Sequence, residues 1–545
     1  SAYLSIVGSG KLNNASASFS TIVGGSGNTV NSLYSFIGGG QNNTVSGIRG
    51  FVGGGSNNIA SGIYSFVGGG GGFYSPYNYG NRATGSKSSI VGGEANLASG
   101  SESFVGGGGY NSATTTNATV AGGQNNLVSG QFSTIGGGQN NLVTNTDSVI
   151  AGGSANKVLG ESSFVGGGNT NLASGNKSVV AGGQSNSATT TYSIVVGGIS
   201  NIASAPGSLV AGGKSNISSG TYSSVLGGLT NVASTTGATI VGGTGHTASG
   251  ILSFIGGGRN NINSGHNSSI IGGRQNNISQ YESFIGGGRY NQVTNGLSVV
   301  VGGNGNYATA LECFVGGGRS NRAASQFAFV GAGQGNYAAG SRAAIAGGTF
   351  NRTSAAYTFV GAGTSNAAQG SFSSVVGGYQ NSGTSFHSSI LAGEKNKSTA
   401  FWSVVIGGSG NTASGTFSSI INGQNNLSSG IGAFIANGSG NTASGENSAI
   451  IGGTGNTVSG RNSVIVAGSN ITGTANDTLY TQNFDAVTMS GDTIHANEFF
   501  SMAPYTDSSP ASPSDNDIWM HSGATGTITL NYRIGGTTYN VELGI

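Results

Sequence analysis

Residues 51–65 read Phe51-Val52-Gly53-Gly54-Gly55-Ser56-Asn57-Asn58-Ile59-Ala60-Ser61-Gly62-Ile63-Tyr64-Ser65, and Phe66-Val67-Gly68-Gly69-Gly70 begins the same phrase again. The last glycine of the cluster falls at 10, 25, 40, 55 and 70. After one interruption it falls at 93 and at every fifteenth residue through Gly468. The chain before about residue 470 is therefore 31 repeats of 15 residues. A fixed short period means stacked units, each burying its apolar face against its neighbours, so several globular domains are not expected despite the 545 residues.

Composition narrows the class. The 107 glycines lack a three-residue period and there are only 5 prolines, which excludes collagen. Apolar residues recur at fixed positions, a regularity that a solvated disordered chain has no reason to keep. A net charge of +2 makes no electrostatic case for nucleic acid. The single Cys313 forms no intrachain disulfide framework, and no apolar run reaches membrane-spanning length. The chain begins inside a repeat without Met or a signal peptide, which suggests a fragment or processed product.

With the repeat glycine as position 0, position +3 is Asn in nearly every repeat, as at Asn96, Asn126, Asn141 and Asn156, and His246 replaces it once. Position +12 is Val or Ile throughout, for example Val105, Val120 and Ile135. Fifteen residues leave room for two short strands joined by tight turns, with glycine pairs expected to supply the positive φ those turns need. Stacked coils then form a parallel β-solenoid of 31 turns, on the order of 150 Å long, with +12 as its inner seam. The +3 asparagines are expected to stack as an amide ladder that satisfies turn backbone groups.

Positions +11 and +13 lie on the opposite face from +12. Where +11 is Phe, +13 is nearly always Gly: Phe104/Gly106, Phe164/Gly166, Phe254/Gly256, Phe284/Gly286, Phe314/Gly316. Where +11 is Ser or Thr, +13 is usually larger: Ser224/Leu226, Thr239/Val241, Ser269/Ile271. Such volume compensation implies packing. A thin coil encloses only one face of a strand, and an apolar row of this length exceeds what a monomer leaves exposed. A homo-oligomer about a long axis is expected, three-fold closure being the preferred arrangement.

The phrase Ser-x-Val/Ile-x-Gly followed by Asn-x-Ala-Ser-Gly resembles the head repeats of trimeric autotransporter adhesins and related repeats of bacteriophage tail fibres. The resemblance covers about residues 1–470 and implies a trimeric left-handed parallel β-roll with an apolar strand facing the three-fold axis. The family's repeat is commonly one residue shorter, so its turn details do not carry over.

The one break in period is the 23 residues from Gly70 to Gly93, one period plus eight. It adds a loop at about 71–79 that contains Phe73, Tyr74, Tyr77 and Tyr79. The preferred reading packs this loop on its own rod, and the functional alternative is carbohydrate or protein contact. Arg259, Arg274, Arg289 and Arg319 share position +1, with Arg322, Arg342 and Arg352 nearby. A solvated charge row that keeps the rod soluble is preferred for them. The alternative is a stripe for phosphate or carboxylate groups of a surface polysaccharide.

No calcium-type nonapeptide is present, since its aspartates and nine-residue period are missing. Cys313 takes the small-residue position +10 and reads as a buried residue rather than a nucleophile. The five histidines are scattered without ligand spacing. No catalytic residues, metal or cofactor are assigned, and the chain is not read as an enzyme.

After Gly468 the composition shifts. Residues 469–503 read as a neck or linker and 504–545 as a small β module, with a hairpin of Thr527–Ile534 and Thr538–Leu543 turning at Gly535-Gly536. The phrase around Ile518-Trp519 resembles small tip modules of phage fibres, which makes Trp519, Tyr532 and Tyr539 candidate tip residues. The aspartates Asp515 and Asp517 are weighed as a catalytic pair and preferred as turn residues. The expected function is a structural and adhesive rod, a bacteriophage tail fibre on the virion surface that attaches to a host-surface glycan or protein. The alternative is a bacterial surface adhesin or extracellular filament. Expected partners are the chain itself, its receptor and other virion or filament subunits, with neither nucleic acid nor membrane insertion.

Overall fold

The structure is a computed structural model that describes residues 3–74, 77–78, 80–482, 518–522, 528–534 and 537–543. It forms two units, Ser1–Asn483 and Phe484–Ile545.

The first unit is an all-β solenoid of 15-residue coils. Each coil contributes a two-residue strand at +4/+5, another at +11/+12 and a single bridging residue at +1. Leu97–Ala98, Phe104–Val105 and Glu94 are the set of one coil. The +11/+12 strands form one parallel sheet of 32 strands. The +4/+5 strands form a second parallel ladder, and both keep a register of one coil per step, as in Phe104↔Thr119 and Leu97↔Ser112. Strands this short are stable because their N–H groups are paired with neighbouring coils. Phe104 donates to the Ala118 carbonyl at 2.9 Å and Gly106 to that of Val120 at 2.9 Å.

The core is one side chain thick on each face. The Val or Ile at +12 of one sheet meets the +5 residue of the other, most often Ala, Val or Ile but a buried polar residue at Ser218, Asn263, Thr353, Ser398 and Ser428, and both rows are buried, as at Val128 and Ile135. The strand period of two leaves +4 and +11 outside.

The turns take positive φ at more positions than the glycines. Glycine carries positive φ at position 0, where values run from 81° at Gly288 to 109° at Gly438 before the final coil. A Cβ at that position would overlap the carbonyl of the next repeat glycine. Non-glycine residues take positive φ at +2 and +9, where many residue types serve, with φ from 50° at Glu282 to 61° at Tyr34. The coil tolerates this strain because both neighbours hold the turn: Tyr110 N–H donates to Glu94, and Glu102 N–H to Ser86.

The +3 row is the expected amide ladder that satisfies turn backbone groups, with amide-to-amide bonds added at Asn43, Asn126 and Asn426. Asn96 Nδ2 donates to the carbonyls of Gly92 at 3.0 Å and Gly108 at 2.9 Å. Its Oδ1 accepts the N–H of Asn111 at 3.0 Å. The same pattern repeats at Asn126, Asn141 and Asn156. At His246, Nδ1 takes over as the acceptor for Asn261 N–H at 3.0 Å.

The coil runs one turn beyond Gly468. Thr472–Gly473 and Leu479–Tyr480 still pair in parallel with the coil before them. Ile471 replaces the +3 asparagine there, and the Tyr480 hydroxyl accepts the N–H of Ala475 at 2.9 Å. The asparagine ladder thus ends on an apolar residue and a ring. The remainder of the expected neck, 483–503, lies outside the described residues.

Candidate interaction surfaces

Four surfaces were singled out by sequence, and a fifth emerges from the structure. The first is the +11/+13 face. Phe104 and Phe164 are 37% and 38% exposed, and Phe254, Phe284 and Phe314 are half-buried. At +13, Val91, Val196 and Val301 are about half exposed. The pairing of Phe with Gly has a cause within the chain. Each ring folds down over its own +13 residue, so that a Cβ at Gly166, Gly286 or Gly316 would lie 3.2, 3.3 or 3.4 Å from the ring edge of Phe164, Phe284 or Phe314. Volume compensation therefore does not by itself require a second chain. The apolar exposure remains: this row runs outward along the whole rod.

The second is the arginine column. Arg259, Arg274 and Arg289 bridge in succession, and Asn304 separates Arg289 from Arg319. All four are exposed. The nearby arginines differ. Arg322 and Arg352 lie over the Tyr337 ring at 5.6 and 5.5 Å, and Arg342 lies between Phe327 and Tyr357.

The third is the insertion, where Phe73–Tyr74 and Tyr77–Asn78 pair antiparallel, Tyr74 opposite Tyr77. The insertion is thus a small hairpin. Tyr79 lies outside the described residues. The fourth is the C-terminal module. Its expected hairpin gains a third strand: Ile518–Ser522 pairs with Ile528–Ile534, which pairs with Thr537–Leu543, all antiparallel. Register sets Tyr532 opposite Tyr539 and Trp519 opposite Asn531, so Trp519 is outside the tyrosine row. Gly535-Gly536, Asp515 and Asp517 lie outside the described residues.

The fifth surface is the +9 row, which carries two stacks. In one, Phe19 lies on Tyr34 at 5.0 Å, Arg49 sits between Tyr34 and Tyr64 and bonds the Tyr64 hydroxyl, and Lys87 pairs with Glu102 at 2.8 Å. That hydrogen-bonded carboxylate raises the Lys87 pKa. In the other, Arg342 leads to Tyr357, Phe372, His387 and Trp402, with ring centroids 4.8, 4.9 and 3.9 Å apart. Phe386 and Phe401 at +8 form a second pair beside it at 5.1 Å. Tyr357, Phe372, Phe401 and Trp402 are all exposed. The signal in the sequence was aromatic residues spaced by 15 at 357, 372, 402 and 417. Its meaning needed the turn conformation, which points every +9 side chain the same way.

Cys313 is 2% exposed, its Sγ donating to the Ser325 carbonyl at 3.1 Å, and burial raises its pKa. Among the described residues no three His, Cys, Asp or Glu side chains group to hold a metal, and no helix is long and apolar enough to cross a membrane. Comparison with protein-family models and with curated proteins returned no match to this chain.

Proposed function

We propose that this chain is the rod of a homotrimeric attachment fibre, a left-handed β-roll of the bacteriophage tail-fibre kind that holds a recognition surface away from a virion and binds a host-surface glycan or protein. The observation that carries this reading is the exposed apolar +11/+13 row. A strip of about 30 coils, each rising about 4.8 Å and spanning two residues, presents roughly 1,000 Å² per chain. A stable interface needs about 800 Å² per partner. Copies of the same chain, in the same register, cover such a strip along its full length, and a three-fold arrangement lets one face per chain meet the common axis. The role is mechanical and adhesive rather than enzymatic, and its place is the virion surface.

The test is the native mass by light scattering. A value near three times the 53.3 kDa chain supports the fibre. A value near one chain removes it. A trimer that binds no cell surface and joins end to end favours an extracellular filament instead.

A further inference from the structure

Immediately before the turn glycine, position +14 is glycine in 24 of the 31 coils, and without a break from Gly24 to Gly317. The coil itself gives no reason for this. A Cβ would meet nothing within 4 Å at 20 of those 24 positions, Gly152, Gly182 and Gly242 among them. Of the +14 glycines only Gly107 and Gly167 have positive φ, at 153° and 154°, near the extended range. Ala332, Ala362, Ala392, Asn422 and Asn437 hold the same position in other coils, none of them at positive φ. A side chain therefore fits there, and each glycine gives up conformational entropy on folding that alanine would save.

The row adjoins the exposed apolar +11/+13 strip in every coil, and that strip carries an independent mark. Between Ile6 and Ala467 no charged residue stands at +11, +13 or +14. Glu94 at +1, Lys157 at +4, Glu161 at +8 and Glu102 at +9 show that other rows on the coil surface accept charge. Yet Phe104, Val196 and Leu226 on the uncharged face are exposed within one chain. Water accounts for neither mark, since it solvates a charge and leaves room for a methyl group. A second backbone at close range excludes both.

The length of the row decides the occupant. Twenty consecutive coils at about 4.8 Å each make a line roughly 90 Å long. A globular partner covers only part of such a line. A backbone of the same period meets it coil for coil, and a second copy of this chain has that backbone.

We infer that the +14 row from Gly24 to Gly317 is the line along which copies of this chain come closest, backbone against backbone. The contact widens beyond it, where side chains return at Ala332, Ala362, Ala392 and Asn422. This rests on the assembly proposed above and adds which row meets the partner, and over which part of the rod.

The experiment is light scattering over a dilution series of the full chain, with far-UV circular dichroism on the same samples. Wild type is compared with the combined Gly197→Ala, Gly212→Ala and Gly227→Ala variant, and with the combined Gly347→Ala, Gly377→Ala and Gly407→Ala variant. The first variant is expected to keep the wild-type spectrum and to dissociate at a concentration about tenfold or more higher. The second, whose coils already neighbour side chains at +14, is expected to assemble as wild type. If wild type assembles and the first variant assembles equally well, the close contact is overturned while the fibre reading stands. Loss of the wild-type spectrum in the first variant would show that the glycines serve the coil itself, and overturns the inference too. Equal dissociation of both variants overturns the widening beyond Ala332. A wild type near the mass of one chain removes the fibre reading and this inference together.

Discussion

Asparagine at +3 satisfies three backbone groups with one short side chain, and that is why 15-residue coils can afford so little core. In Asn156→Ala the carbonyls of Gly152 and Gly168 and the N–H of Asn171 lose their partners inside a dry coil. At about 1–3 kcal/mol for each buried unpaired group, a local loss of about 3 kcal/mol or more is expected. Hydrogen exchange at the Asn171 amide measures it, and Asn156→Asp, which sets a buried carboxylate against the Gly152 and Gly168 carbonyls, is expected to cost at least as much. His246 makes the same ladder sensitive to acid. Burial lowers its pKa below the ordinary 6.5, against smaller opposing effects of the Gly258 and Asn261 backbone. As pH falls through 6.5 the unfolded chain takes up a proton that the folded coil resists, so stability is full above 6.5 and declines toward the depressed folded value. The expected outcome is that His246→Asn melts increasingly above wild type as pH drops below 6.5, and that this advantage shrinks above it. A constant difference across that range would show that the ladder histidine does not titrate in unfolding.

At the scale of one turn, the +9 residue is held at positive φ and repeats every strand spacing, which is also a good stacking distance for rings. The rod therefore carries an outer row of side-chain contacts that parallels the inner one. A stacked aromatic pair contributes about 0.5–1.5 kcal/mol beyond its burial. Trp402 lies 3.9 Å from His387 with ring planes 6° apart. Trp402→Ala is expected to weaken its coil by about 1 kcal/mol, and Trp402→Phe to retain most of the contact. Local hydrogen exchange around residues 387–417 distinguishes these outcomes. The +11/+12 strand was legible because its buried residue is Val or Ile throughout, whereas the second strand was expected without a place and the structure sets it at +4/+5. The +9 stacks were not legible. Their residues are chemically mixed, and only the left-handed turn shows that Arg342, Tyr357, Phe372, His387 and Trp402 share one direction.

For the whole molecule, the open question of assembly turns on the +11/+13 face. Phe284→Asp places a charge on that face while leaving Ile285 in the core untouched. Within one chain Phe284 is half-buried beside Gly286, so the monomer coil is expected to form. If copies meet there, the trimer is expected to dissociate at concentrations where wild type remains assembled, as read by light scattering. Unchanged assembly would place the interface elsewhere.

Period, the +12 inner row and coil number were determined by sequence alone, because a stacked solenoid repeats one backbone geometry and so demands the same residue type at the same place. Val or Ile at +12, Asn at +3 and Gly at 0 each answer a local requirement that recurs in every coil. Tertiary structure decided how these residues meet: the amide-to-backbone wiring of Asn96, the fold of the Phe164 ring over Gly166, the left-handed turns at +2 and +9, and the end of the coil at Ile471 and Tyr480. The wiring is set by the distance from one coil to the next, and the ring fold and the turns are conformations that residue type alone does not dictate.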